Sequence, residues 1–123
     1  MTIKHTLTKS WSGPAGAITK SLPQFGVQEA NLDFVLAAST TNQQMNLAFK
    51  IALLQSIFIS SDQNITMKTN STTTPANTLT ITGGDPFLST GAANPFSADV
   101  TTVYFTNAGA TAANVSVRCL TNG

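Results

Sequence analysis

The side chains that can do acid–base chemistry in this sequence are one histidine and five carboxylates: His5, Glu29, Asp33, Asp62, Asp85 and Asp99. General acid–base catalysis usually needs a histidine, or two carboxylates whose pKa values differ. His5 lies near the N-terminus, and no serine sits in a nucleophile-elbow pattern. Asp62, Asp85 and Asp99 fall at predicted strand ends or in loops, where aspartate commonly caps turns. We therefore predict that the protein is not an enzyme, so no catalytic residue is assigned.

The sequence also contains few residues that could bind a metal or a cofactor. Cys119 is the one cysteine, so the chain can form neither an internal disulfide nor a thiolate cluster. It shares one face of an alternating run with Val115 and Val117, which predicts a buried structural thiol. No loop has the spacing of a calcium motif, and the Gly83-Gly84 pair lacks the lysine of a phosphate loop. We predict no metal and no cofactor.

The balance of charge argues against a nucleic-acid partner. The formal net charge is +1, charged residues make up 9% of the chain, and the cationic side chains are scattered singly. Nucleic-acid binding usually draws on clustered lysine and arginine. A surface with so few charges offers little repulsion against association, which favours a subunit that assembles into a homo-oligomer. An ordinary neutral monomer is the alternative.

The sequence shows no targeting segment. The opening MTIKHTLTK lacks the apolar core of a signal peptide, and no apolar run approaches membrane-spanning length. We therefore expect synthesis in the cytoplasm without export by that route, and no membrane partner.

The architecture follows from composition and alternation. With 123 residues, the chain predicts a single domain over 1–123, in which residues 1–14 can serve as an N-terminal arm. Threonine accounts for about one residue in six, and this side chain suits a pleated, half-exposed surface. Apolar residues alternate with polar ones in about eight short segments separated by turn signals. These features predict an all-β antiparallel sandwich that is jelly-roll-like.

Three segments carry specific expectations. QMNLAFKI predicts a strand with Met45, Leu47, Phe49 and Ile51 inward, and LLQSIFIS favours a strand over a short helix. Residues 83–98 show no periodicity, so they predict a long loop. Phe87 and Phe96 in that loop either pin it to its own domain or offer apolar contacts to a neighbour. Together with Trp11 they are the candidate interface residues.

Several strand and turn segments, IFISSD, ITMKTN, PANT, DVT and TNA, resemble a pattern found in small structural proteins of tailed bacteriophages and prophages. They occupy residues 57–62, 65–70, 75–78, 99–101 and 106–108. Such proteins often place a large aromatic after the Pro-Phe-like segment, where this chain has Leu88-Ser89-Thr90. The resemblance implies a virion component, a capsid decoration or cement protein or a minor head or tail subunit, whose partners are capsid or other virion proteins.

Two function classes other than assembly stay open. A carbohydrate- or receptor-binding module of a phage fibre can use Trp11, Tyr104 and loop Asn or Asp residues to hold a sugar. An enzyme can pair His5 with one carboxylate. The leading expectation is a non-enzymatic virion structural protein that acts through symmetric protein–protein contacts.

Overall fold

A computed structural model describes residues 2–123, and almost all of its regular structure is β-strand. The ten strands are listed here in chain order: β1 Ile3–Gly13, β2 Gly16–Gly26, β3 Gln28–Leu36, β4 Thr40–Met45, β5 Leu54–Ser61, β6 Ile65–Thr69, β7 Thr78–Ile81, β8 Phe87–Thr90, β9 Val103–Asn107 and β10 Ala113–Thr121. Two single-turn 3₁₀ helices, Ile51–Leu53 and Gly91–Ala93, complete the regular structure of the described part.

Eight of the strands form a sandwich of two antiparallel sheets. The first sheet has the order β3-β10-β5-β8 and the second the order β4-β9-β6-β7. Every step along the chain from β3 to β10 passes to the opposite sheet, except the step from β6 to β7, which are neighbours in the second sheet. This is the jelly-roll connectivity, so the predicted antiparallel sandwich is confirmed. The strand number is ten rather than about eight.

The core lies between the two sheets and follows the predicted alternation. Val115, Val117 and Cys119 of β10 face inward and are nearly fully buried, as predicted for the structural thiol. Burial raises the pKa of the Cys119 thiol to about 12, because desolvation penalises the thiolate. Phe34 and Phe105 meet edge to face across the two sheets, with ring centroids 5.1 Å apart.

The strand predicted for QMNLAFKI ends earlier than expected. Strand β4 stops at Met45, residues 46–50 contain one isolated β-bridge between Phe49 and Val100, and Ile51 opens a 3₁₀ helix. Leu47 and Phe49 are nevertheless buried. The alternation therefore indicated burial correctly but not strand pairing, because this segment carries the chain from the second sheet to the first. The following segment is the strand β5, as predicted.

The prediction of a structureless loop over residues 83–98 is wrong in its middle part. Phe87–Thr90 forms β8, an edge strand that pairs antiparallel with β5, and Gly91–Ala93 forms a 3₁₀ turn. Phe87 and Leu88 are adjacent apolar residues and the buried residue is Ser89, so this strand shows no apolar–polar alternation in the sequence. Its conformation depends on the partner strand β5.

Candidate assembly surface

The first two strands form a hairpin that belongs to neither sheet of the sandwich. Strand β1 pairs with β2 over their full length, from Ile3 opposite Gly26 to Gly13 opposite Gly16. A two-residue turn joins them, and Gly16 has φ +115°, a region that side-chain-bearing residues rarely adopt. We call this hairpin, Ile3–Gly26, the arm. The predicted N-terminal arm, 1–14, covers its first strand and the start of its turn.

The base of the arm is fixed to the outer face of the first sheet. Leu7 is buried there, and a Cβ atom on Gly26 would lie 2.5 Å from the Thr121 carbonyl oxygen and 2.9 Å from Leu120 Cγ. The close approach requires glycine at position 26. Just beyond it, the Val27 amide donates to the Thr121 carbonyl at 2.9 Å. The base is therefore part of the packed domain.

His5 forms a second attachment of the arm. Its Nε2 lies 2.7 Å from Glu29 Oε2 on β3, and Asn31 also donates to the Glu29 carboxylate. These hydrogen bonds, that of His5 first, hold the pKa of Glu29 below its ordinary value of 4.5. The structure thus brings His5 to one carboxylate, the pair that the enzyme alternative requires. Among the described residues, no hydrogen bond joins His5 to a hydroxyl or thiol nucleophile.

A cleft of about 470 Å³ lies between the arm base and the first sheet. Phe58, Leu88 and Arg118 line it from the sheet, and Lys4 and His5 line it from the arm. Arg118 donates through both terminal nitrogens to the Asp33 carboxylate at 3.1 Å, and this pairing holds the pKa of Asp33 below its usual range. Within residues 2–123, no group of three or more His, Cys, Asp or Glu side chains gathers at a metal-binding distance.

The outer half of the arm, residues 8–21, stands free of the domain. Every residue in it except Gly13 is exposed. Six residues of extended chain from Thr8 to the tip span roughly 20 Å at about 3.3 Å each. Hydroxyl hydrogen bonds Thr8–Ser21 and Ser10–Thr19, at 3.3 and 3.2 Å, support one face of this half. A two-stranded hairpin without a layer beneath it is only marginally stable in water.

The opposite face of the outer half carries two cross-strand pairs. Trp11 lies opposite Ile18, and their exposed fractions are 71% and 60%. Lys9 lies opposite Lys20 in the adjacent pair on the same face. We call these four residues the tip face. Two lysines placed directly opposite each other repel, and two large apolar side chains remain in water, so the tip face is unfavourable in an isolated chain.

Formal charge is divided between the arm and the rest of the chain. The arm contains three lysines and no carboxylate, so its formal charge is +3. The remaining residues contain three cationic side chains and five carboxylates, a balance of −2. Opposite charges on separate parts of one surface favour contact between copies.

Two carboxylates of the sandwich lie at the end formed by residues 37–39, 62–64, 82–86 and 108–112. These four connections contain Asp62 and Asp85 but no lysine, arginine or histidine. The Asn114 backbone amide and side chain donate to Asp62 at 2.8 Å, and this holds its pKa below the usual range. Asp85 is exposed, and neither carboxylate forms an ion pair within the described chain. We call these four connections the acidic end.

A buried asparagine joins the loops of the acidic end by hydrogen bonds. The carbonyl oxygens of Leu36, Ala37 and Thr111 lie 2.9–3.3 Å from Asn107 Nδ2 and share its two hydrogens, and Asn107 Oδ1 accepts from the Gly109 amide at 3.1 Å. A cleft of about 510 Å³ opens beside it, lined by Asp62, Gln63, Asn64, Gly83, Ala108 and Gly109. Gly83, Ala108 and Gly109 contribute no side chain larger than a methyl group to its walls.

The three candidate interface residues lie in different surroundings. Trp11 is on the tip face. Phe96 is buried, and its ring meets Phe49 edge to face at a centroid distance of 5.3 Å, so it pins its segment to the domain. Phe87 is half-buried on β8 and packs against the core. Tyr104, which the sugar-binding alternative pairs with Trp11, lies on β9 of the second sheet.

Ile18, Lys9 and Lys20 were not predicted from the sequence as members of a common surface. The signal was present in the SGPAG turn. If residues on either side of that turn are paired outward from Gly13 and Gly16, Trp11 falls opposite Ile18 and Lys9 opposite Lys20.

The fold defines a jelly-roll sandwich with an added N-terminal hairpin. No protein-family model matches the chain, and a search of curated proteins finds no match either. Among solved structures, the chain is similar to a Bacillus endospore appendage protein, from a family of disulfide-linked pili. The TM-score is 0.45 with 13% identity, over 98% of this chain and 92% of the other. A likeness this distant establishes neither a shared family nor a shared function.

No helix in the described part of the chain is long and apolar enough to span a membrane.

Proposed function

We propose that the protein is a non-enzymatic structural subunit that assembles through its projecting arm. The observation that carries this proposal is the outer half of the arm, which exposes Trp11 and Ile18 roughly 13 Å beyond Leu7 in the packed base, at about 3.3 Å per residue. Exposed aromatic side chains on a surface that the domain itself does not cover are the usual anchors of protein–protein contacts.

The setting we propose is a virion, in which the protein is a capsid decoration or cement protein or a minor head or tail subunit. This part of the proposal rests on the sequence resemblance to small structural proteins of tailed phages. A projecting arm suits it, because repeated contacts between neighbouring subunits stabilise a symmetric shell or tube.

The test is the solution mass of the full chain, measured by light scattering over a concentration series. The series is run alone and with shells assembled from the capsid protein of the same phage genome. We expect a defined oligomer or saturable shell binding, and a marked weakening in the variant Trp11→Ser/Ile18→Ser. Val35→Ser is the matched control, because Val35 is 66% exposed but lies on β3, outside the arm.

A wild-type monomer that ignores shells would overturn the proposal. Selective binding on a glycan array that depends on Trp11 would instead favour the sugar-binding module, since an exposed indole can stack on a sugar ring.

A further inference from the structure

We infer that the arm of one copy docks on the acidic end of a second copy, so that the chain assembles head to tail. This inference rests on the proposed function and names the partner and the surface that the arm contacts.

The tip face and the acidic end carry opposite charges. The tip face presents Lys9 and Lys20 side by side, and the acidic end presents Asp62 and Asp85 with no neighbouring cation. Of the other carboxylates, Glu29 and Asp33 are paired with His5 and Arg118. Asp62 accepts hydrogen bonds from the uncharged Asn114 and Asp99 accepts one from the Ile51 amide, so neither is in an ion pair, but Asp99 lies alone outside the acidic end. Contact with the acidic end would relieve the repulsion between the two lysines.

The tip face has a projecting side chain and the acidic end has a cleft. Trp11 projects from the tip face with 71% of its surface exposed, and the acidic end contains the cleft of about 510 Å³. Gly83, Ala108 and Gly109 carry no side chain larger than a methyl group, so they leave room in that cleft, and Gln63 and Asn64 place side-chain amides at its wall. An indole has an apolar body and one N–H donor, so it suits a cleft that combines small residues with side-chain amides.

The two surfaces differ, which makes the contact heterologous. Each copy then has one free arm and one free acidic end, so contacts repeat until they close into a ring or continue as a filament. An arm that met the arm of its partner would instead give a closed two-fold dimer.

Complementation between two blocked variants tests this arrangement. One chain carries a blocked arm, Trp11→Ser/Lys20→Glu, and the other a blocked end, Asp62→Asn/Asp85→Lys. We expect each alone to dissociate at least about tenfold more readily than the wild type, as hot-spot truncations do. Mixed, they should form a 1:1 complex that grows no further, because only one arm and one end remain functional.

Lys50→Glu is the charge control, since Lys50 is exposed but lies outside both surfaces. It should assemble as the wild type does. Circular dichroism checks that each variant is folded. Because Asp62 accepts a hydrogen bond from Asn114, the double end variant can lose stability, and in that case Asp85→Lys alone replaces it in the experiment.

Three results would overturn the inference: a wild-type chain that does not self-associate, end variants that assemble normally, or a mixture in which both blocked chains stay monomeric. If the arm variant loses association or shell binding while the end variants keep it, the proposed function stands and only the acidic end is wrong as its partner. If the wild type neither self-associates nor binds shells, the proposed function fails as well.

Discussion

Replacing Phe96 by alanine separates the two roles that its segment can have, an intradomain anchor or a contact offered to a neighbour. The ring is 95% buried and packs edge to face on Phe49. Burying a phenylalanine contributes about 1.5–3 kcal/mol, and a remaining cavity costs about 24 cal/mol per Å³. For a cavity of roughly 100 Å³ the two effects together predict a loss of about 4–5 kcal/mol in the free energy of unfolding.

The assay is denaturant unfolding of the Phe96→Ala variant followed by far-ultraviolet circular dichroism. Trp11 fluorescence is a poor probe here, because the indole is exposed on the arm and reports little on the core. Phe96→Leu is the matched control and should lose about 1–2 kcal/mol, since most of the apolar volume remains. Phe87→Ala should lie between the wild type and Phe96→Ala, because Phe87 is half-buried.

An intradomain anchoring role of Phe96 is refuted if Phe96→Ala unfolds within about 1 kcal/mol of the wild type, well below the range for buried phenylalanines. Measurement at two protein concentrations excludes a contribution from association. A stability loss that disappears at low concentration would place Phe96 at an interface.

Three further perturbations follow from the same contacts. Gly91→Ala should prevent folding or cost more than about 3 kcal/mol, because its Cβ would lie 1.7 Å from the Leu54 carbonyl oxygen, whereas Gly13→Ala should stay within about 1 kcal/mol in the same unfolding assay. Asn107→Ala should cost about 2–4 kcal/mol in thermal unfolding and increase hydrogen exchange at the Gly109 amide, since it removes the donors shared by three carbonyl oxygens and the acceptor of the Gly109 amide; an unchanged exchange rate contradicts this. An NMR titration of Glu29 should give a pKa below 4.5 that rises towards 4.5 in His5→Gln. Because the folded pKa is the lower one, the stabilisation is complete above the unfolded pKa and is lost as pH falls through the folded pKa; a Glu29 pKa unaffected by His5→Gln refutes the assignment.

Alternation in the sequence predicted the sandwich because its signal is local. In β10, inward Val115, Val117 and Cys119 alternate with Asn114, Ser116 and Arg118, and each inward side chain is buried. The period of two needs only one strand and one buried face to appear. The fold class could therefore be predicted without knowledge of which strands are neighbours.

Features that depend on distant partners could not be predicted in this way. Strand β8 is held by β5, and the 3₁₀ turn after Met45 is held by the Phe49–Val100 bridge and by the Asp99 carboxylate that accepts from the Ile51 amide. The pairing of His5 with Glu29 links residues 24 positions apart. No local pattern in the sequence encodes these contacts, because each requires the completed fold.

The arm combines sequence features that favour a hairpin with features that destabilise that hairpin in an isolated chain. Its turn and hydroxyl pairs favour a hairpin, yet Lys9 faces Lys20 and Trp11 remains in water. In a monomer these features weaken an element that already lacks a supporting layer. In the proposed head-to-tail contact, the same side chains meet the carboxylates and the cleft of the acidic end, so one interface relieves both the repulsion and the apolar exposure. We therefore expect the amides of the arm to exchange hydrogen fast in the monomer and slowly in the assembly. Equal exchange rates in the two states would contradict the proposed contact.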